Sequence, residues 1–430
     1  MRSFTSTRGS DEASLEEALF RGLARDGGLY MPAELTSLPG PPPASASKDF
    51  LSTALWAAPY FFPDVVPDVI EQVVEQAFTF SVPLVEVEPD VHVLELFHGP
   101  THAFKDVGAR FLARLTETLD PGGPIRTVLV ATSGDTGGAV ADAYYGLDRF
   151  RVVVMFPRVG LSTRQRRQMT TLGGNVTALA VDGTFDDCQR LAKEAFRDAE
   201  LSERYALTSA NSINIGRLLP QGFFYVYAAS VLGWDRSPPR FFVPSGNLGN
   251  LCAGIMARSM GTPAAGFVSA ANLNRGFVDF LAGARFEARP SLSTTSNAMD
   301  VGDPSNFERL MWLYEGDSTR LRRDVKGTSV TDEATGACIE RVYRRTGYVL
   351  DPHSAVAYEA RGRHHEDFEG PSVVLATAHP AKFPEVVESM IGREVPLPAG
   401  LARTANAEER MRELRPSLEA LRAVLDDVAR

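Results

Sequence analysis

Cysteine is scarce in this sequence. Cys188, Cys252 and Cys338 are the only three in 430 residues, they lie far apart, and no CxxC occurs. That excludes a disulfide framework, offers no metal site, and predicts a reducing, cytoplasmic setting. Long apolar runs are missing as well. The longest, "FFYVYAASVLGW" at 223–234, is too short to span a bilayer, so no membrane partner is expected. There is no basic excess: 44 Lys and Arg face 54 Asp and Glu, for a formal charge of −10. This argues against a nucleic-acid partner, although a locally positive site still suits a small anion. The first residues, "MRSFTSTRGSDEASLEEALF", lack an apolar segment and are acid-rich, so no targeting leader is expected. Two phosphate signatures also fail. In "GPTHAFKD" (99–106) Phe104 stands where a Walker loop needs glycine, and Asp106 where it needs Ser or Thr. No G-x-G-x-x-G is present.

What is present is ordinary globular material, 44% hydrophobic and 23% charged, enough for a large core and two or three domains. Residues 14–26 carry apolar residues at helical spacing, and "GGLYMP" stops them. "LPGPPPASASK" (38–48) reads as a linker, and 49–80 as helix broken at Pro59, Pro63 and Pro67. From about residue 90 strands and helices alternate. "VHVLEL", "TVLVA", "RVVVMF", "VTALAV", "RFFVP" and "PSVVLATAHP" read as strands. Between them, "DVGARFLARLTETL" places Val107, Phe111, Leu112, Leu115 and Leu119 on one helical face. This alternation predicts an α/β protein with mostly parallel sheets and ligands at the carboxyl ends of the strands.

Two loops share one layout. "TSGDTG" (132–137) and "SGNLGN" (245–250) each lie between a strand and a helix start. Such loops offer backbone N–H groups and a helix dipole to an anion. Either one alone is also an ordinary glycine-rich turn. A single lysine, Lys105, sits between an apolar "AF" and an acid at another strand-to-helix junction. An isolated lysine is most often a solvated surface residue. Together with two anion cradles it suggests an amine that forms a Schiff base with pyridoxal 5′-phosphate. His98, His353 and His379 read as structural hydrogen-bonders, the last two with a supporting place in the cleft. "TRQRRQ" (163–168) reads as a solvated helix face, or as a draw for an anion.

"LFHGPTHAFKDVGARFL", "ATSGDTGGAV", "SANSINIGRLLPQ", "VPSGNLGN", "SNAMDVGDPSNFERL", "DPHSAVAY" and "ATAHPAKFP" occur in that order. With the start "STRG…EALFRGLARDGGLYMP" they resemble the successive motifs of the threonine synthase family, in its bacterial and fungal branch. The resemblance runs from about residue 5 to 385. It implies a fold-type II, tryptophan synthase β-like architecture: two parallel-sheet α/β domains with pyridoxal 5′-phosphate in the cleft, plus an N-terminal extension. The domains implied are a helical extension over 1–85, a large cofactor domain from 86–125 and 221–390, a small domain over 126–220 and a helical tail over 391–430.

The activity implied is that of a carbon–oxygen lyase acting on a phosphate ester, turning O-phospho-L-homoserine and water into L-threonine and phosphate. In this resemblance Lys105 matches the catalytic Schiff-base lysine. Gly246, Asn247, Leu248, Gly249 and Asn250 match the cofactor-phosphate loop. Thr377 matches the hydroxyl facing the pyridine nitrogen, and Asp135 lies near the ring oxygen. Thr132, Ser133, Gly134 and Thr136 match the loop that takes the substrate carboxylate. Asn211, Asn214, Asn297 and Lys382 lie in segments lining the substrate side. His102 departs from the family pattern, which usually has leucine. Competing readings are a lyase making a keto acid from the same ester, a serine/threonine dehydratase, or a protein of this fold that binds ligand without turnover. A monomer or weak homodimer is expected.

Overall fold

The computed structural model describes residues 3–429. The chain opens with β1 (Phe4–Ser6), β2 (Glu12–Ala13), α1 (Leu15–Arg21) and β3 (Tyr30–Pro32), then α2 (Phe50–Phe61) and α3 (Pro67–Ala77). The α/β part follows with β4 (Leu84–Glu88), β5 (Val91–Glu95), α4 (Lys105–Leu119), β6 (Arg126–Ala131), α5 (Asp135–Tyr144) and β7 (Phe150–Pro157). It continues through α6 (Thr163–Thr170), β8 (Val176–Val181), α7 (Phe185–Arg197), β9 (Leu207–Thr208) and β10 (Arg240–Pro244). The last strands are β11 (Gly266–Ala271), β12 (Val325–Ser329), β13 (Ser372–Ala376) and β14 (Arg412–Leu414).

Three sheets result among the described residues. Their orders are β2-β1-β3, β12-β11-β10-β13-β5-β4 and β14-β8-β7-β6-β9. The two large sheets are parallel except for the antiparallel edge pair β4–β5. Their central strands are buried on both faces; every residue of β13 and β11 is buried. That is why strands such as β13 and β7 read as continuous apolar runs rather than alternating ones.

Local chemistry explains most boundaries. Ser14 and Glu17 form a capping box at the start of α1, as do Ser162 and Gln165 at α6. Pro67 opens α3 at its first turn, where its missing N–H is not needed. Pro59, expected to break the helix, lies inside α2. It removes a single ladder bond, the one its N–H would give to the Leu55 carbonyl, and the ladder resumes with Phe62 N–H donating to the Ala58 carbonyl. Phe50, Ala54, Ala57, Ala58 and Phe61 bury the same helix into the main core.

Two expectations about the ends need correction. The segment 1–85 is not wholly helical, because β1, β2 and β3 pair into a sheet. The tail 391–430 is not wholly helical either: β14 extends the second large sheet alongside β8, and Leu421 and Leu425 of the helix Leu418–Ala429 join the core cluster that includes Cys188 and Leu191 of α7. The three cysteines are buried and free. Among the described residues no helix is long and apolar enough to cross a membrane.

Candidate active site

The carboxyl ends of β5, β6, β10 and β13 converge on one cleft. Lys105 is the first residue of α4. Ahead of it the 99–104 turn is stitched to the end of β13: Phe104 N–H donates to the Thr377 carbonyl at 2.8 Å, and Ala103 bridges Ala378. Lys105 and Thr377, distant in sequence, are thereby neighbours. The Lys105 amine lies 4.9 Å from the centre of the Phe104 ring and keeps only part of its surface accessible. Its depth pushes the amine down from the usual lysine range to about 8; Asp135 opposes this, while Arg217 and Lys382 reinforce it. Such an amine is neutral often enough near pH 7 to be a nucleophile and a base.

Asp135 is the first residue of α5 and faces Lys382, with 2.7 Å between Oδ1 and Nζ; the two side chains are 2% and 0% exposed. Lys382 Nζ also donates to the Thr101 carbonyl at 3.0 Å. Burial by itself would raise the Asp135 carboxyl. The nearby Lys382, Lys105 and His353 outweigh it and hold the group well below the usual carboxylate range. Gln165 Nε2 donates to the same carboxylate at 3.0 Å.

The loop before Asp135 is locked by Thr132, whose Oγ accepts from Gly134 N–H and Gly137 N–H at 2.9 Å each. Gly134 has φ +148°, and a Cβ there would lie 2.7 Å from Gln165 Nε2, so a larger residue is excluded twice over. Ser133 and Thr136 keep partly exposed side chains.

The second loop is held from outside. Asn247 accepts from Ser305 N–H at 2.6 Å, donates to Ser212 Oγ at 2.6 Å, and its carbonyl accepts from Asn306 Nδ2 at 2.9 Å. Leu248 adopts φ 60°, ψ 4° at the cap of the helix Gly249–Ser259. With those side chains tied back, the N–H groups of Gly246, Asn247, Leu248 and Gly249 reach no backbone acceptor among the described residues. Asn250 Oδ1 accepts from the Tyr225 hydroxyl at 2.6 Å, which leaves Asn250 Nδ2 buried without a partner. A row of unengaged donors at a helix start is an anion cradle. These donors, the amine of Lys105 and the hydroxyl of Thr377 fit a phosphorylated aldehyde such as pyridoxal 5′-phosphate.

The remaining sequence-identified residues divide. Asn297 reaches the cleft and forms a reciprocal amide pair with Gln165 at 3.0 and 3.3 Å. Asn211 donates to the Ala131 carbonyl at 2.7 Å. Asn214 is fully buried: its Nδ2 donates to the Leu19 and Ser209 carbonyls and its Oδ1 accepts from Gly216 N–H. Asn214 thus has no N–H left for a substrate and shapes its segment instead.

"TRQRRQ" is no solvated face. Gln165 is 0% exposed, Gln168 donates to the Thr101 carbonyl, and Arg166 and Arg167 pair with Glu409. Gln165 went unnoticed in the sequence; its only signal was the capping-box spacing after Ser162. His353 accepts from Ala298 N–H through Nε2 at 3.1 Å, so its other nitrogen, 2.7 Å from Asp351, carries the proton.

Comparison with known proteins finds matching families, sequences and structures. A family model described as a pyridoxal-phosphate dependent enzyme matches residues 81–378. Two others, described as the threonine synthase N terminus and C-terminal part, match 3–78 and 354–425. The chain is 40% identical to the threonine synthase of Serratia marcescens over 403 residues, 92% of each chain. It is similar to the crystal structure of threonine synthase from Escherichia coli, with TM-score 0.90, 37% identity and 99% of each chain covered. The PLP-bound threonine synthase from Brucella melitensis superposes with TM-score 0.91, 36% identity and 100% coverage of both.

Proposed function

The chain belongs to the threonine synthase family, and on that premise we propose that it converts O-phospho-L-homoserine and water into L-threonine and phosphate, with Lys105 as the amine that carries the cofactor. The observation that carries the reading is Lys105 itself: a lysine with its amine lowered to about 8, seated between two loops that offer anion-binding donors. Pyridoxal 5′-phosphate, when bound, supplies an aldehyde for that amine and a ring that withdraws charge from the substrate α-carbon.

The chain's own residues do the rest. The N–H groups of Gly246 to Gly249, with Asn250, hold the cofactor phosphate. Thr377 offers a neutral hydroxyl to the ring nitrogen. Ser133 and Thr136, whose side chains stay partly exposed, take the substrate carboxylate, with Thr132 engaging the Gly134 and Gly137 N–H groups to keep their loop in shape. Lys105 Nζ removes the α-proton and returns protons later, which one mobile amine of moderate basicity does well. Asn211 and Asn297 border the substrate side. In this reading the large lobe comprises 86–125 and 221–390, the small lobe 126–220, and the chain is a cytoplasmic monomer or weak homodimer.

Product analysis tests the activity. Phosphate and threonine should appear in equal amounts from O-phospho-L-homoserine; phosphate with 2-oxobutanoate would instead assign a lyase acting on the same ester. Borohydride treatment of the yellow enzyme should fix the cofactor to the peptide containing Lys105. Recovery on another lysine would overturn the residue assignment while leaving the activity standing.

A further inference from the structure

The ion pair of Lys382 and Asp135 has an unusual position. Asp135 follows β6 of the β14-β8-β7-β6-β9 sheet, and Lys382 follows β13 of the six-stranded sheet. Their 2.7 Å contact therefore joins the two lobes, and it does so with both side chains sealed from solvent. A fully buried ion pair is a weak source of stability, because desolvation cancels most of the attraction. What it does instead is decide where charge resides. Asp135 interacts with two cations, Lys382 and Lys105. Lys382 holds the carboxylate in a direct contact and is itself anchored by the Thr101 carbonyl at 3.0 Å, in the turn that leads to Lys105.

We propose that Lys382 is a positioning residue that engages Asp135, and by doing so prevents Asp135 from pairing with Lys105 and locking its nitrogen in the charged form. This rests on the assignment of Lys105 as the cofactor-bearing amine. It gives Lys382 a role different from the substrate-side ligand expected from sequence. Its amine points to Asp135 and Thr101, and its side chain has no exposure with which to meet a phosphate.

The charged groups acting on Lys105 are Asp135, Arg217, Lys382 and Asp351, and those acting most strongly on Asp135 are the cations Lys382 and Lys105, followed by His353, whose ring proton lies on the Nδ1 that faces Asp351. Arg217 is buried and donates to the Ala210 carbonyl. Asp351 is occupied by His353 and Ser354. Arg217 is not among the groups acting most strongly on Asp135, and Asp351, an anion, cannot replace a lost cation. Lys382→Met thus leaves Asp135 with Lys105 as its one close cationic partner. Asp135→Asn does the opposite, leaving the Lys382 charge unopposed beside Lys105.

The test follows the pH dependence of the cofactor's visible absorbance in the resting holoenzyme, alongside the pH profile of kcat/KM. Lys382→Met should move the absorbance midpoint up by about one pH unit or more, the usual effect of an opposite charge at close range. Asp135→Asn should move it down. Lys382→Arg should keep it near the wild-type value, and the Lys382→Met/Asp135→Asn double variant should return towards it. If Lys382→Met does not fold, Asp135→Asn alone decides, since an unmoved midpoint there overturns the proposal. An unmoved midpoint in Lys382→Met, with KM for O-phospho-L-homoserine raised about tenfold and kcat kept, overturns it in favour of a direct phosphate contact, a tenfold change being the scale of one such interaction. Borohydride labelling run in parallel separates the cases: cofactor fixed to another lysine defeats the Lys105 assignment, whereas cofactor on Lys105 with unmoved midpoints defeats only the role of Lys382.

Discussion

Thr377 and His102 show how single residues tune this site. Thr377 is 6% exposed, and its carbonyl is used by Phe104. In the proposed reading its hydroxyl faces the ring nitrogen, where a neutral group does not stabilise a positive charge. Thr377→Asp would, by attraction to its carboxylate. That variant should keep the cofactor, change its visible absorbance and lose about tenfold or more in turnover. If Thr377→Val leaves spectrum and product ratio unchanged, the residue only packs. His102, three residues before Lys105, adopts φ 56°, a region in which a leucine costs about 1–2 kcal/mol. Its ring fits because position 400 is glycine; a Cβ there would lie 2.5 Å from Nε2. Burial lowers His102 to about 4, below its unfolded value near 6.5. Between those pH values the unfolded chain binds a proton that the folded chain refuses, so acidification through this window destabilises the fold. His102→Leu should be less stable than wild type at pH 7, and on acidification from 6.5 towards 4 the gap should close and then reverse, because wild type loses up to about 1.4 kcal/mol per pH unit there and the variant does not. Urea unfolding at several pH values measures this, and a constant gap would contradict it.

Among the elements, α6 is tied to a partner distant in sequence. Glu409 accepts from Arg166 Nε at 2.9 Å, from Arg167 Nη1 at 3.0 Å and from Thr170 Oγ at 2.9 Å. It thereby holds the helix whose Gln165 touches both Asp135 and Asn297. Charge-assisted contacts of this kind contribute about 1.5–3 kcal/mol. Glu409→Ala should lower the melting temperature by several degrees and speed amide exchange over residues 163–170, with KM rising and the Lys105 label unaffected. Unchanged exchange there would show that α6 is held without the tail.

At the scale of the whole molecule, the tail 391–430 completes the smaller lobe. β14 covers the edge of β8, and Leu414, Leu421 and Leu425 are at most 3% exposed. At about 1.5–3 kcal/mol for each buried leucine, their loss amounts to roughly 5 kcal/mol or more, comparable with the net stability of a typical domain. A chain ending at residue 390 should therefore aggregate or fail to accumulate, because it also bares a strand edge. A soluble, monodisperse product in size-exclusion chromatography would show that the lobe closes without it.

The alternation of strands and helices from residue 90, the two loops "TSGDTG" and "SGNLGN", and the isolation of Lys105 were legible in the sequence, because each depends on near neighbours in the chain. Apolar runs, glycine turns and a lysine at a junction carry their meaning locally. Other features depended on contacts that no local pattern records. β11, "GFVSAA", is wholly buried yet carries glycine, serine and alanine in place of the long apolar run that marks β13. β14, "REL", becomes a strand only because β8 offers an edge. Pro59 stays within α2 because that helix packs into the main core. "TRQRRQ" looked like a solvated face until Glu409, from beyond residue 400, neutralised it. Lys382 was read as facing substrate, yet its amine is taken up by Asp135 from the other lobe. The sequence alone determined which groups are available for chemistry. Which of them remain free to perform it was decided by tertiary structure, because a buried charge or amide is satisfied by whatever long-range packing brings within hydrogen-bond distance.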